Sequence, residues 1–146
     1  MHARRKEGAT GDGFYVKSGP GALLDLEFLV QSAVLLSPRG EPYPPTTYAT
    51  IHELAKRGLL AARVAAELST AYNFFRLVEN RLSMLHRSSV RVVPTDHDSL
   101  RELALRIGYT TDDDSIPEEM LHQEIHYHTE RVVQILEAQL ESYRVP

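Results

Sequence analysis

The chain has 146 residues, 42% of them hydrophobic and 25% charged, which suits one globular domain with a core of its own and excludes disordered or fibrous classes. A formal charge of −4 leaves no basic face for general nucleic-acid binding, although Arg4, Arg5, Lys6 and Lys17 make the first seventeen residues locally basic. With no cysteine, disulfides, thiolate metal sites and cysteine nucleophiles are excluded, and a reducing cytoplasm is the expected location.

Residues 1–22 carry five glycines and a proline, so they read as an N-terminal arm or linker preceding a helical domain over 23–146. No apolar segment follows the basic start, so no secretory signal is expected. Within the arm, Phe14 to Lys17 could pair as a strand, and its partner is expected in another domain. The first helix is expected from Leu23 to Leu36. Its residues are apolar on nearly every side, which predicts a central, largely buried helix, and Asp25, Glu27, Gln31 and Ser32 rule it out as a membrane span.

A second helix is expected near Thr47 to Arg57, stopped by Gly58. The third carries the strongest pattern. Leu60, Val64, Leu68, Ala71, Phe75, Val78, Leu82 and Leu85 recur at gaps of four and three, a heptad seam on a helix from about Ala61 to Arg87. Thr95, with Asp98 three residues on, predicts the cap of a short helix ending at Ile107 before Gly108. Ser115, Pro117 and Glu118 form a second start signal, for a last helix reaching about Ser142 with Leu121, Ile125, His128, Val132, Leu136 and Leu140 on one side. The expected fold is all-α, an antiparallel bundle of about five helices behind a Gly-rich arm.

Several residues could carry chemistry. Glycines before a helix can offer backbone N–H groups to an anion, although Lys17 to Phe28 matches neither common phosphate fingerprint. Asp25 and Glu27 lie two apart, roughly 200° around a helix, so they cannot pair with one another. At least one should face inward and need a partner; Arg76 is the first candidate and Arg81 the second. His122 and His126 lie one turn apart, with Glu118 a turn earlier and His128 after, a spacing that can bind zinc. They lack the HExxH general base, and a solvated helix face explains them better, as an acidic helix start explains His97. No metal ligand set is assigned.

Lys17–Gln31, KSGPGALLDLEFLVQ, resembles the motif of the bacterial glutamine synthetase adenylyltransferases, with its lysine, glycines, Asp-Ile-Glu-Phe and Val-Gln. Matching segments follow in order at Ile51–Leu60, Leu68–Leu85 and Leu103–Tyr109, so the resemblance covers roughly residues 14–140. Leu24, where an arginine would precede the aspartate, is closer to the C-terminal, adenylylating half of that family. Ala22 stands where a second glycine is usual. The family's nucleotidyltransferase signature, Gly-Ser followed by paired aspartates, does not occur in the chain, and Asp112 to Asp114 sit in a loop and cannot replace it.

The resemblance implies a helical domain serving an enzyme that transfers AMP from ATP to a tyrosine of glutamine synthetase, and reverses it, under control of the PII protein. It implies ATP and magnesium in the parent enzyme, no cofactor in this chain, and no activity of the chain alone. Lys17, Gly19, Gly21, Asp25 and Glu27 would lie at the junction with the nucleotide and the nucleotidyltransferase domain. Arg76, Glu79 and Arg81 would hold them as an ion-pair network. An exposed docking face would favour a homodimer of the isolated chain. The alternative is a free-standing helical module that binds a protein or nucleotide.

Overall fold

The computed structural model describes residues 13–85, 91–112 and 114–144. Among them a short strand β1 (Phe14–Tyr15) is followed by helices α1 (Leu23–Leu35), α2 (Thr47–Lys56) and α3 (Ala62–Leu85), strand β2 (Val92–Val93), and helices α4 (His97–Ile107) and α5 (Pro117–Ser142). The fold is a predominantly helical bundle, as the periodicity predicts.

The helix ends follow local chemistry. The Thr46 hydroxyl caps α2 by accepting from the Ala49 N–H at 3.2 Å. Gly58, just past α2, takes φ +76°, which a side chain would disfavour. Two caps differ from expectation. Asp96, not Thr95, caps α4, accepting from the Ser99 N–H at 2.9 Å, and this hydrogen bonding holds its carboxyl below the usual range. A carboxylate also complements the positive helix end better than a hydroxyl. At α5 the cap residue is Ile116, with no side-chain cap bond, because Ser115 Oγ donates instead to Thr110 O. Glu118, the other half of the expected capping box, reaches away to Arg101 and His97, each at 3.4 Å.

The core forms where the helices' apolar faces meet. The α3 seam buries Leu68, Ala71, Phe75, Val78 and Leu82, with Leu60, Val64 and Leu85 partly covered against them. Helix α5 contributes Leu121, Ile125, His128, Val132 and Leu136, while Leu140 stays exposed. Glu67 pairs with Arg131, and the Phe74 ring lies 4.8 Å from His128, so α3 and α5 run antiparallel. Helix α1 runs alongside α5 in the same direction: Gly21 abuts Thr129, and Leu29 O accepts from Gln139 Nε2 at 3.0 Å.

Helix α1 is less enclosed than its composition suggests. Leu23, Leu26, Leu29, Val30 and Ala33 are buried, but Leu24, Phe28 and Leu35 are 44%, 54% and 82% exposed. Its apolar surface therefore faces both the core and outward.

The strand also corrects an expectation. β1 finds its partner in this chain: it pairs antiparallel with β2, Phe14 opposite Val93 and Tyr15 opposite Val92. The ribbon continues as the Val16 N–H donates to Arg91 O at 3.2 Å. Pro94, which has no N–H to donate, follows β2 directly.

Candidate functional site

Between β1 and α1 the chain makes a tight turn, and the Lys17–Gln31 motif builds it. The Gly19 N–H donates to Tyr15 O at 2.8 Å, and a Cβ on Gly19 would lie 2.6 Å from that oxygen and 2.8 Å from the Phe14 ring. Gly21 has φ +73°, and a Cβ there would lie 2.1 Å from Thr129 O. Asp25 is 4% exposed and accepts the Gly21 N–H at 2.8 Å. Its carboxylate thus occupies the helix end where an external anion would sit. The neighbouring amides are also committed, Ala22 to Gly19 O, Leu23 to Val16 O and Leu24 to Lys17 O. Gly19, Gly21 and Asp25 therefore hold the turn together and are turned away from solvent.

The outward half of the motif behaves differently. Lys17, Ser18 and Leu24 join Tyr15, Glu79, Asn80, Ser83 and Arg91 around a surface hollow of about 400 Å³. This brings together Lys17 and Glu79, two residues singled out from the sequence. Arg91, Asn80 and Ser83 were not expected there, since only the β1–β2 pairing brings Arg91 beside Lys17. Arg76 pairs with Glu79 on its own helix. Arg81 instead donates to Arg106 O of α4 at 3.1 Å. Glu27 is half-buried on α1. With Lys17 and Arg91 at its wall and Glu79 engaged by Arg76, the hollow suits an anionic or hydrogen-bonding partner.

The histidines divide into two settings. His128 is buried beside Phe74, Phe75 and Tyr127, and burial pushes its imidazole below the ordinary value, opposed by the Glu124 carboxylate. His122 and His126 are exposed on α5, and His126 pairs with Glu130 at 3.1 Å. Among the described residues no group of three His, Asp or Glu side chains is placed to hold a metal ion. Burial, and then the Glu124 carboxylate, raise the Tyr109 phenol well above its usual range, so it stays protonated.

Among the described residues, no helix is long and apolar enough to cross a membrane. The family model described as GlnD PII-uridylyltransferase matches residues 1–140. Curated relatives carry the name bifunctional glutamine synthetase adenylyltransferase/adenylyl-removing enzyme. The Streptomyces coelicolor protein is 35% identical over 99 residues, which is 66% of this chain and 10% of that protein. The Rhizobium meliloti protein is 30% identical over 112 residues, 75% of this chain and 11% of that protein. The Bradyrhizobium protein is 30% identical over 117 residues, 78% of this chain and 12% of that protein. The chain thus spans about a tenth of the length of the curated relatives it matches. The chain belongs to the GlnD PII-uridylyltransferase family, as a helical domain similar to part of the glutamine synthetase adenylyltransferases.

Proposed function

We propose that this domain is the helical scaffold of a glutamine synthetase adenylyltransferase-like enzyme, and that it docks a nucleotidyltransferase domain on the outward side of its Lys17–Phe28 segment. The supporting observation is the division of the motif. Gly19, Gly21 and Asp25 fix the turn, while Lys17 and Leu24 line the Arg91, Asn80 and Ser83 hollow and Phe28, one helical turn on from Leu24, is left exposed. Exposed leucine and phenylalanine next to two cations make a face with an apolar centre and a polar border, as protein contacts require.

In such an enzyme ATP and magnesium are held by the catalytic carboxylates of the partner domain, and AMP passes to or from a glutamine synthetase tyrosine under PII control. This chain supplies position, with Lys17 at the edge of the nucleotide. It lacks the Gly-Ser-x-x-Asp-x-Asp signature with which such enzymes hold two metals at a triphosphate. Incubation of the pure chain with radiolabelled ATP, magnesium and glutamine synthetase should leave the synthetase unlabelled. Label transferred by this chain alone would overturn the reading.

A further inference from the structure

Helix α1 carries an apolar stripe that the described residues leave uncovered. Leu24, Phe28, Gln31 and Leu35 are all exposed, and their gaps of four, three and four place them within about 60° of one another around the helix. The half-buried Glu27, Ser32 and Val34 flank the stripe, and the exposed Leu36 lies beside its C-terminal end. Leu26, Leu29, Val30 and Ala33, on the opposite face, are buried in the core. The stripe itself carries no charge. Of the two acids on α1, Asp25 is buried and accepts from Gly21, and Glu27 stands at the flank.

Leu24, Phe28, Leu35 and Leu36 together leave roughly 450 Å² of surface open, within the range of about 300–600 Å² for the largest apolar patch on a monomer, which often serves binding. A stable interface buries about 800 Å² per partner, a little over half of it apolar. The stripe therefore matches the apolar part of one side of such an interface.

The stripe is also complementary to itself. Packed antiparallel on a second copy, Leu24 of one copy meets Leu35 of the other and Phe28 meets Gln31, about a twofold axis between Phe28 and Gln31. Charge selects this direction. Lys17 and Arg91 lie at the N-terminal end of the stripe, where Leu24 borders their hollow. Parallel packing would set two cationic hollows side by side and align the helix dipoles. Antiparallel packing sends the hollows to opposite ends and opposes the dipoles.

We propose that the free chain forms a twofold dimer through α1, packed antiparallel along Leu24, Phe28, Gln31 and Leu35. Leu24 and Phe28 also belong to the docking face described above, so a second copy and a nucleotidyltransferase domain exclude one another there. The dimer does not rest on that reading, since it needs this chain alone.

The chain has no cysteine, so an introduced one is unique. Leu24→Cys and Leu35→Cys chains, purified separately, are oxidised with copper phenanthroline alone and as a mixture. In the antiparallel dimer two Leu24 positions lie about 16 Å apart along the helix, too far for a disulfide, whereas Leu24 and Leu35 adjoin. The mixture should therefore give the cross-linked dimer and neither chain alone should. Equal bands from each chain alone would overturn the antiparallel packing, and no band from any sample would overturn the α1 contact. Sedimentation of the unaltered chain should show monomer passing to dimer between about 10 and 1,000 μM. Leu35→Glu, at an exposed position outside the Lys17–Phe28 docking segment, should keep the circular-dichroism melt and weaken dimerisation at least about tenfold. A chain monomeric at about 1 mM, or Leu35→Glu dimerising unchanged, would overturn the proposal.

Discussion

Substituting Gly21 by alanine should be far more damaging than the same change at Gly58, and the difference isolates one contact. Both glycines adopt left-handed backbone, φ +73° and φ +76°, so alanine pays roughly 1 kcal/mol at each for that conformation. At Gly58 nothing lies within 4 Å of the added methyl group, and the conformational term stands alone. At Gly21 the methyl carbon would sit 2.1 Å from the Thr129 carbonyl oxygen, with the carbonyl carbon and Cα of the same residue at 2.7 and 2.8 Å. Helix backbone cannot rotate away as a side chain can, so α1 and α5 must separate by about an ångström, and overpacking of that kind costs about 1–3 kcal/mol more. The totals are roughly 1 kcal/mol for Gly58→Ala and about 2–4 kcal/mol for Gly21→Ala. At this chain length 1 kcal/mol corresponds to roughly 3–5 °C in Tm. Thermal unfolding followed at 222 nm should therefore place Gly21→Ala about 3–15 °C below Gly58→Ala. Equal losses for the two variants would refute the claim that the turn is pressed against α5. Gly40→Ala, where the added methyl meets nothing and φ is not positive, provides the neutral reference.

Lys17→Ala should leave stability within about 0.5 kcal/mol, because the turn uses only the Lys17 carbonyl, and thermal melts check this. The paired change Leu24→Glu, Phe28→Glu should likewise leave the melt unchanged while abolishing association with a purified nucleotidyltransferase domain supplied in trans; retained association in a pull-down would contradict the docking face. Phe75→Ala, at a fully buried ring touching Phe14, Phe74 and His128, should cost about 3–5 kcal/mol in urea unfolding. Stability should also rise with pH through the acid range. The His128 imidazole is held below its unfolded value of 6.5, so the unfolded chain takes up that proton first and stability falls as pH drops below about 6.5. Glu67, held below its unfolded value of 4.5 chiefly by its hydrogen bond from Arg131, extends the loss further into acid. His128→Phe should flatten the upper part of that profile and leave the lower part, as urea midpoints at stepped pH would show.

Helix positions were legible because they rest on local rules. The four-three spacing on α3, the glycines after α2 and α4, and Pro117 at the start of α5 each act within one or two turns of the chain. The first strand's partner was illegible for the opposite reason. Val92–Val93 is two residues long and followed by proline, so it reads as loop until the bundle carries it to Phe14–Tyr15. Similarly, Thr95 and Asp96 are both good caps by type, and only the geometry of the first turn selects between them. The motif was recognisable as a string, but its division into inward and outward residues was not. Gly21 faces Thr129, more than a hundred positions later, and no spacing rule near Gly21 refers to that carbonyl. Arg91 reached the Lys17 hollow by the same long-range route.

The ribbon and the Gly21–Thr129 contact also set an order of assembly on the ribosome. Helices α1 to α3 can form from neighbouring residues as they emerge, since each needs only its own turns and adjacent helices. The strand β1 has nothing to pair with until Val93 has been synthesised, and the turn after it has no opposing wall until Thr129 follows. Closing so long a span carries an entropic cost that local helices avoid. The Lys17–Gln31 segment, translated ahead of α2 to α5, is therefore completed among the last, and a product interrupted before α5 carries that whole motif without the surface that shapes it.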